Sequence, residues 1–191
     1  YLRDGQATYD PDQETADPTL RHWIEDKKPK TADLLEYSSA SVFTNIVKPL
    51  IKKESTIRML LQNPENAISE RQRQRICNQI ANVILVEAGA FQKLEIKCYN
   101  EHASLKGMNL GNEVINLGWY TYDLRPKELD TTKEPLQIWG HSNPLITLSR
   151  ADKGFLVIQG FFTKVFNNLW EKAESRADIC ARCARQCAAR P

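Results

Sequence analysis

The nine residues Ser55–Asn63, STIRMLLQN, place apolar side chains on nearly consecutive positions. A run this short, closed by the NPEN turn signal, reads as a strand, and a strand without polar alternation must be covered on both faces. Such strands pair in parallel, with helices packed against the sheet. The flanking text agrees. Before the run, ADLLEYSS from Ala32 reads as a first strand and SASVFTNIVKPLIKK as the helix that follows it. Val42, Ile46, Pro49 and Leu50 fall roughly on one face of that helix, and Pro49 should kink or shorten it. After the run, Ser69 and Gln72 have capping-box spacing for a long helix, SERQRQRICNQIANVILVEA. Its Ile76, Ile80, Val83 and Ile84 share an apolar face, and Gly89 is the expected stop.

Beyond that helix the texture changes. LEIKCYN, ASLKGMNL and NEVINLGWYTYD read as three successive strands, the last two joined across Asn109–Asn112 by a glycine-containing turn. RPKELDTTKEP is a polar loop, and QIWGHSNPLITLSR is strand, Pro-marked turn and strand. Everything from Gly154 to the end reads as helical, with Phe155, Ile158, Phe162, Val165, Phe166, Leu169 and Trp170 on a broad apolar face. Two right-handed crossovers would lay parallel strands against helices, and the later hairpins would extend or edge the sheet. The expected fold class is therefore α/β, a mixed sheet flanked by helices. Its expected divisions are an N-terminal arm or linker over 1–31, an α/β body over 32–173, and a helical Cys/Arg-rich tail over 174–191. Within the arm, Thr19–Asp26 suits a short helix on which His22 and Trp23 are docking contacts rather than chemistry.

At 191 residues, 41% hydrophobic and 26% charged, the chain has the size and composition of one soluble domain that buries its core without staples. A net charge of +2 gives no bulk argument for nucleic acid or an anionic membrane. No stretch approaches the about 18 consecutive apolar residues of a membrane span. The N-terminal segment is polar and acidic, unlike a secretory signal, and opens on Tyr1. The expectation is a piece or processed form of a longer protein with a neighbouring domain. Of five cysteines, Cys77 and Cys98 sit inside apolar patterns as buried thiols and three crowd the end. That distribution is no disulfide framework and points to a reducing cytoplasm.

Chemistry concentrates between Asn100 and Asp123, NEHASLKGMNLGNEVINLGWYTYD. A histidine, a nearby lysine, a polar turn and a second strand ending at a glycine and two aromatics resemble the active-site hairpin of the phospholipase D superfamily. One half of such a fold would run from about Asp33 to Ala173. In that family a strand bears His-x-Lys, an aspartate follows, and the second strand closes on a Gly-Ser corner. By this resemblance His102 stands at the nucleophile position, Ser104 replaces the lysine and Lys106 lies one pleat further on the same face. Asn109, or Asn112 if the turn has shifted, occupies the aspartate position. Gly118 fits the corner, with Trp119 in place of its serine. The family's histidine attacks phosphorus, its lysine neutralises phosphate charge, and a second half-site supplies the proton to the leaving group. The resemblance thus implies either a homodimeric phosphodiesterase or nuclease using His102 and Lys106, or a scaffold whose chemistry has been removed.

The residues favour the second. Ser104, Asn109 and Asn112 leave the reactive set incomplete, whereas His102, Lys106, the asparagines, Trp119 and Tyr120 suit a phosphorylated or nucleotide-like ligand through cation, hydrogen bonds and aromatic face. Ser38 and Ser39 end the first strand, at the edge where α/β sheets place ligands. His141 and Asn143, in WGHSNP, sit at a turn that joins the same mouth if the sheet brings it beside Ser38; otherwise they only shape a loop. Cys180, Cys183 and Cys187 align on one helix face, as a helical seam or three ligands of a metal site that lacks its fourth. The expected function is a cytoplasmic, non-catalytic ligand-sensing or interaction module regulating an attached effector or DNA-binding domain, with no cofactor. A homodimer is an expected partner state, and a structural oligomerisation domain built on the helix from Phe155 is the third reading.

Overall fold

The computed structural model describes residues 18–36, 42–67, 73, 76–77, 93–102, 104–124, 136–139 and 145–175. Helix α1 (Pro18–Lys27) leads into β1 (Thr31–Glu36). A π-helical turn at Phe43–Val47 runs into the short α2 (Lys48–Lys52), followed by β2 (Thr56–Gln62) and a 3-10 turn at Pro64–Asn66. Strands β3 (Leu94–Tyr99), β4 (Leu105–Leu110), β5 (Val114–Trp119), β6 (Thr121–Leu124), β7 (Leu136–Trp139) and β8 (Ile146–Ser149) precede α3 (Phe155–Lys172) and the short β9 (Glu174–Ser175).

Seven strands form one mixed sheet in the order β8-β5-β4-β1-β2-β3-β9. The parallel pairs are β1 with β2 and β2 with β3; every other pairing in the sheet is antiparallel. Strands β6 and β7 make a separate two-stranded antiparallel ribbon. The apolar run that suggested a doubly covered strand behaves so: Ile57, Met59, Leu60 and Leu61 of β2 are all buried. Side chains alternate across the sheet. One face carries Leu34, Ile57, Met59, Ile96, Cys98, Met108 and Leu110, and described residues of the segments that follow β1 and β2 pack into the same core. Phe43, Ile46, Val47, Leu50 and Ile76 join the core from those segments, together with Leu20 and Ile24 of α1. Thus α1 belongs to the packed body, although its sequence lies in the expected arm.

Helix α3 covers the other face with Phe155, Phe162 and Phe166, all fully buried. Gly107 makes the contact close: a Cβ there would lie 2.6 Å from the Asn116 carbonyl oxygen and 3.1 Å from Phe162. Near the helix end, Arg58 holds Asp33 through two 2.7 Å hydrogen bonds and lies over the Phe166 and Trp170 rings at 5.0 and 5.4 Å. Lys97 lies 4.8 Å from the Trp170 centroid. Charged strand residues are thereby accommodated under a helix by aromatic faces and a bidentate carboxylate.

The helix after β1 is short and irregular at Pro49, as its sequence implies: Lys48 N–H donates to the Phe43 carbonyl, five residues back, immediately before Pro49. Proline has no N–H to continue the i to i−4 ladder, and the π turn absorbs the mismatch. Two expectations change. The strands around the Pro-marked turn do not pair with each other; β7 pairs with β6 and β8 with β5. The final helix stops at Lys172, where Ala173 turns extended and Glu174–Ser175 pairs with β3. Most of the helix expected from Ser69 onward and the cysteine tail lie outside the described residues, apart from Arg73, Ile76 and Cys77, which are helical. Among the described residues no helix is long and apolar enough to cross a membrane.

Candidate functional site

The carboxyl end of β1 ends on an acid. Ala32, Leu34 and Glu36 point to the same face, so Glu36 takes the last inward position of a strand whose other inward residues are core. It is 4% exposed. The antiparallel register with β4 pairs Leu35 with Gly107, which sets Lys106 level with Glu36 on the same face. Across the next ladder Lys106 pairs with Gly118 of β5. A Cβ on Gly118 would meet Lys106 Cε at 3.0 Å and Leu145 Cδ2 at 2.5 Å, so the lysine stem and Leu145 lie across the bare glycine. Tyr120 follows, its N–H bonded to the Ser104 carbonyl at 3.1 Å. Its hydroxyl stands 3.5 Å from Glu36 Oε2, and its ring centroid lies 5.8 Å from Lys106 Nζ. Three chemistry-bearing groups thus converge where the central parallel strand ends, the usual ligand position of an α/β sheet.

Their protonation is shaped by that setting. Burial pushes the Glu36 carboxyl up to about 7, and the attraction of Lys106 and the Tyr120 hydroxyl offset this only in part. Burial also draws the Lys106 ammonium below its ordinary value, against the pull of Glu36. The result is an acid able to exchange a proton near neutrality beside a partly desolvated cation, the kind of pair that collects at functional sites.

Of the residues expected from sequence, Lys106 and Tyr120 come together. His102 and Ser104 are exposed on the approach to β4 at the same end of the sheet. Trp119 is 37% exposed and, by strand alternation, projects from the opposite face to Gly118 and Lys106, so it forms no common aromatic wall with Tyr120. Asn109 and Asn112 are separated from Lys106. Asn109 is buried on the α3 face, at the far end of the hairpin. Its Nδ2 donates to Asn112 Oδ1 at 2.9 Å and its Oδ1 accepts from the Asn112 N–H, while Gln159 of α3 also donates to Asn112 Oδ1. Asn112 takes a left-handed φ of 59°, a conformation asparagine tolerates well. These two residues build the turn. Ser38, Ser39, His141, Asn143, Cys180, Cys183 and Cys187 lie outside the described residues. Cys98 is buried as expected, and Cys77 is half-buried. Among the described residues no cluster of His, Cys, Asp or Glu has metal-binding geometry.

A second polar group at this end of the sheet is architectural. Asn63 and Asn66 both donate to Asn100, which donates to Glu174 Oε1, so the turn after β2, the end of β3 and β9 are tied together. The residue that sequence reasoning missed is Glu36. Its signal was available in TADLLE, where strict alternation puts an acid at an inward position, but only the β4 register reveals Lys106 as its neighbour. The fold and site together define a mixed α/β sheet with an acid–lysine–tyrosine cluster at the carboxyl end of its central strand. No family model matches the chain, and no curated protein matches it significantly.

Proposed function

We propose that the chain is a non-catalytic ligand-sensing or interaction module on a degenerate phospholipase D-like half-fold. It binds a phosphorylated or nucleotide-like ligand and regulates an attached effector or DNA-binding domain. The observation that carries this reading is the placement of Lys106 over Gly118 beside Tyr120, at the end of the central parallel strand. A cation partly shielded from water attracts an oxyanion more strongly than an exposed one, and the adjacent phenol adds a hydrogen-bonding group. The absence of catalysis is argued from Asn109, whose side chain is spent on the hairpin turn, and from Ser104 in the lysine position.

Calorimetric titration with cyclic AMP at about pH 6 tests the reading. Wild type should bind, Lys106→Met should bind at least about tenfold more weakly, and neither should cleave a phosphodiester. Cleavage abolished by His102→Ala would replace this reading with the homodimeric phosphodiesterase. The oligomerisation reading draws on α3, where Leu156 and Val157 are each 73% exposed and Phe161 is 50% exposed. Contiguous exposed apolar surface of this kind marks interaction sites.

A further inference from the structure

We infer that an oxyanion occupies the Lys106 site only while Glu36 carries a proton, so that Glu36 is a ligand-binding residue acting through its O–H and each ligand bound takes up a proton. This rests on the reading that the site binds an anion at Lys106.

The argument begins with charge. Glu36 is 4% exposed and stands level with Lys106 across the β1–β4 ladder. While Glu36 is ionised it offsets the lysine charge, and an incoming anion meets a carboxylate in a partly dry site where repulsion is little screened. An ionised carboxylate only accepts hydrogen bonds, so it has nothing to offer a phosphate oxygen. Protonated, the same side chain no longer offsets the lysine charge and gains an O–H to donate. Burial has already raised the carboxyl to about 7, so the competent form is populated near neutral pH.

Among the described residues few other groups are sources of such linkage. Lys106 of β4 and Tyr120 are the charged and titratable groups that act on Glu36 among the described residues. The β2 neighbour at this level is the apolar Leu61. On the same side of the sheet, Lys48, Lys52 and Glu54 of the α2 segment are exposed, as are Arg21, Glu25, Asp26 and Lys27 of α1. His22 of α1 and His102, four residues before Lys106, are both exposed and are the competing titratable groups among the described residues.

Cyclic AMP is the probe because its phosphodiester keeps a single negative charge across the range used. Calorimetry in two buffers of different ionisation enthalpy counts protons. Wild type should bind about tenfold more weakly at pH 8 than at pH 6, with close to one proton taken up at the higher pH. Glu36→Gln, which presents a permanent donor without charge, should bind with an affinity independent of pH and no uptake. Uptake should survive in His22→Asn and in His102→Asn. Equal affinity at both pH values without uptake in wild type would overturn the inference and leave the binding reading standing. Uptake that disappears in His22→Asn or in His102→Asn would overturn it in favour of that histidine, whether or not Glu36→Gln folds. No binding by wild type at either pH would remove the reading, and the inference with it.

Discussion

Gly107 and Gly118 stand on adjacent strands, yet what opposes a side chain at each differs. At Gly107 the obstacle is the Asn116 backbone oxygen at 2.6 Å, with Phe162 behind it, and neither moves without shifting the β4–β5 ladder or α3. Gly107→Ala should destabilise the fold by about 1–3 kcal/mol, the usual cost of overpacking, read from urea unfolding. At Gly118 the obstacles are the flexible Lys106 stem and the half-exposed Leu145. Gly118→Ala should cost less than about 1 kcal/mol in stability, because those side chains give way. It should nevertheless weaken anion binding, because Lys106 is one of the two side chains that give way. Near-wild-type affinity for cyclic AMP in a folded Gly118→Ala protein would detach Lys106 from the site. Gly160 provides the opposite case, with nothing within 4 Å of its added Cβ in mid-helix. Gly160→Ala should stabilise by about 0.5–1 kcal/mol through the lower entropy of the unfolded chain.

At the scale of elements, α3 has two different faces. Phe155, Phe162 and Phe166 are fully buried against the sheet, whereas Leu156, Val157 and Phe161 project outward. Replacing Leu156 and Val157 together by glutamate should leave the unfolding free energy within about 0.5 kcal/mol of wild type, since the change removes little packing within the chain. A larger loss measured on dilute protein would mean that these side chains pack internally after all. The inner face of this helix was legible from its period, and the strands were legible from apolar runs punctuated by turn residues. Pairing partners were not. The text QIWGHSNPLITLSR has the appearance of a hairpin, yet β7 and β8 go to different sheets. That choice is made by long-range packing, which local pattern does not encode. The site was half legible for a similar reason. Lys106, Gly118 and Tyr120 could be read from one hairpin, whereas Glu36 lies 70 residues away from Lys106 in the chain and meets it only through strand register. Asn109 and Asn112 were drawn toward the ligand by resemblance, and local hydrogen bonding holds them in the turn instead.

For the molecule as a whole, the buried acid makes stability a function of pH with a definite sign. Glu36 has a folded value of about 7 against 4.5 for the ordinary group. Below about pH 4.5 both folded and unfolded chains hold the proton. Between the two values the folded chain keeps a proton that the unfolded chain has released, so raising the pH draws the equilibrium toward unfolding. Above about 7 the loss is complete, and at about 1.4 kcal/mol per pKa unit it amounts to roughly 3 kcal/mol. Lys106 acts in the other direction on the alkaline side, because its folded value is lowered from 10.5 and the folded chain releases that proton first. Glu36→Gln removes the acid component and, with it, the attraction that partly supports the Lys106 charge. Its stability should match wild type near pH 4.5 and exceed it by about 3 kcal/mol at pH 8, with most of the difference developing between those values. Paired urea melts at three pH values measure this directly. If Glu36→Gln were no more stable than wild type at pH 8, the carboxyl would be better solvated than its burial implies. The proton-linked site would then lose its physical basis. If the difference develops as stated, the fold is holding a buried acid at a cost in stability, and cores do not retain such groups for packing alone. On the proposed reading, a hydrogen bond to the bound oxyanion is the reason for keeping it.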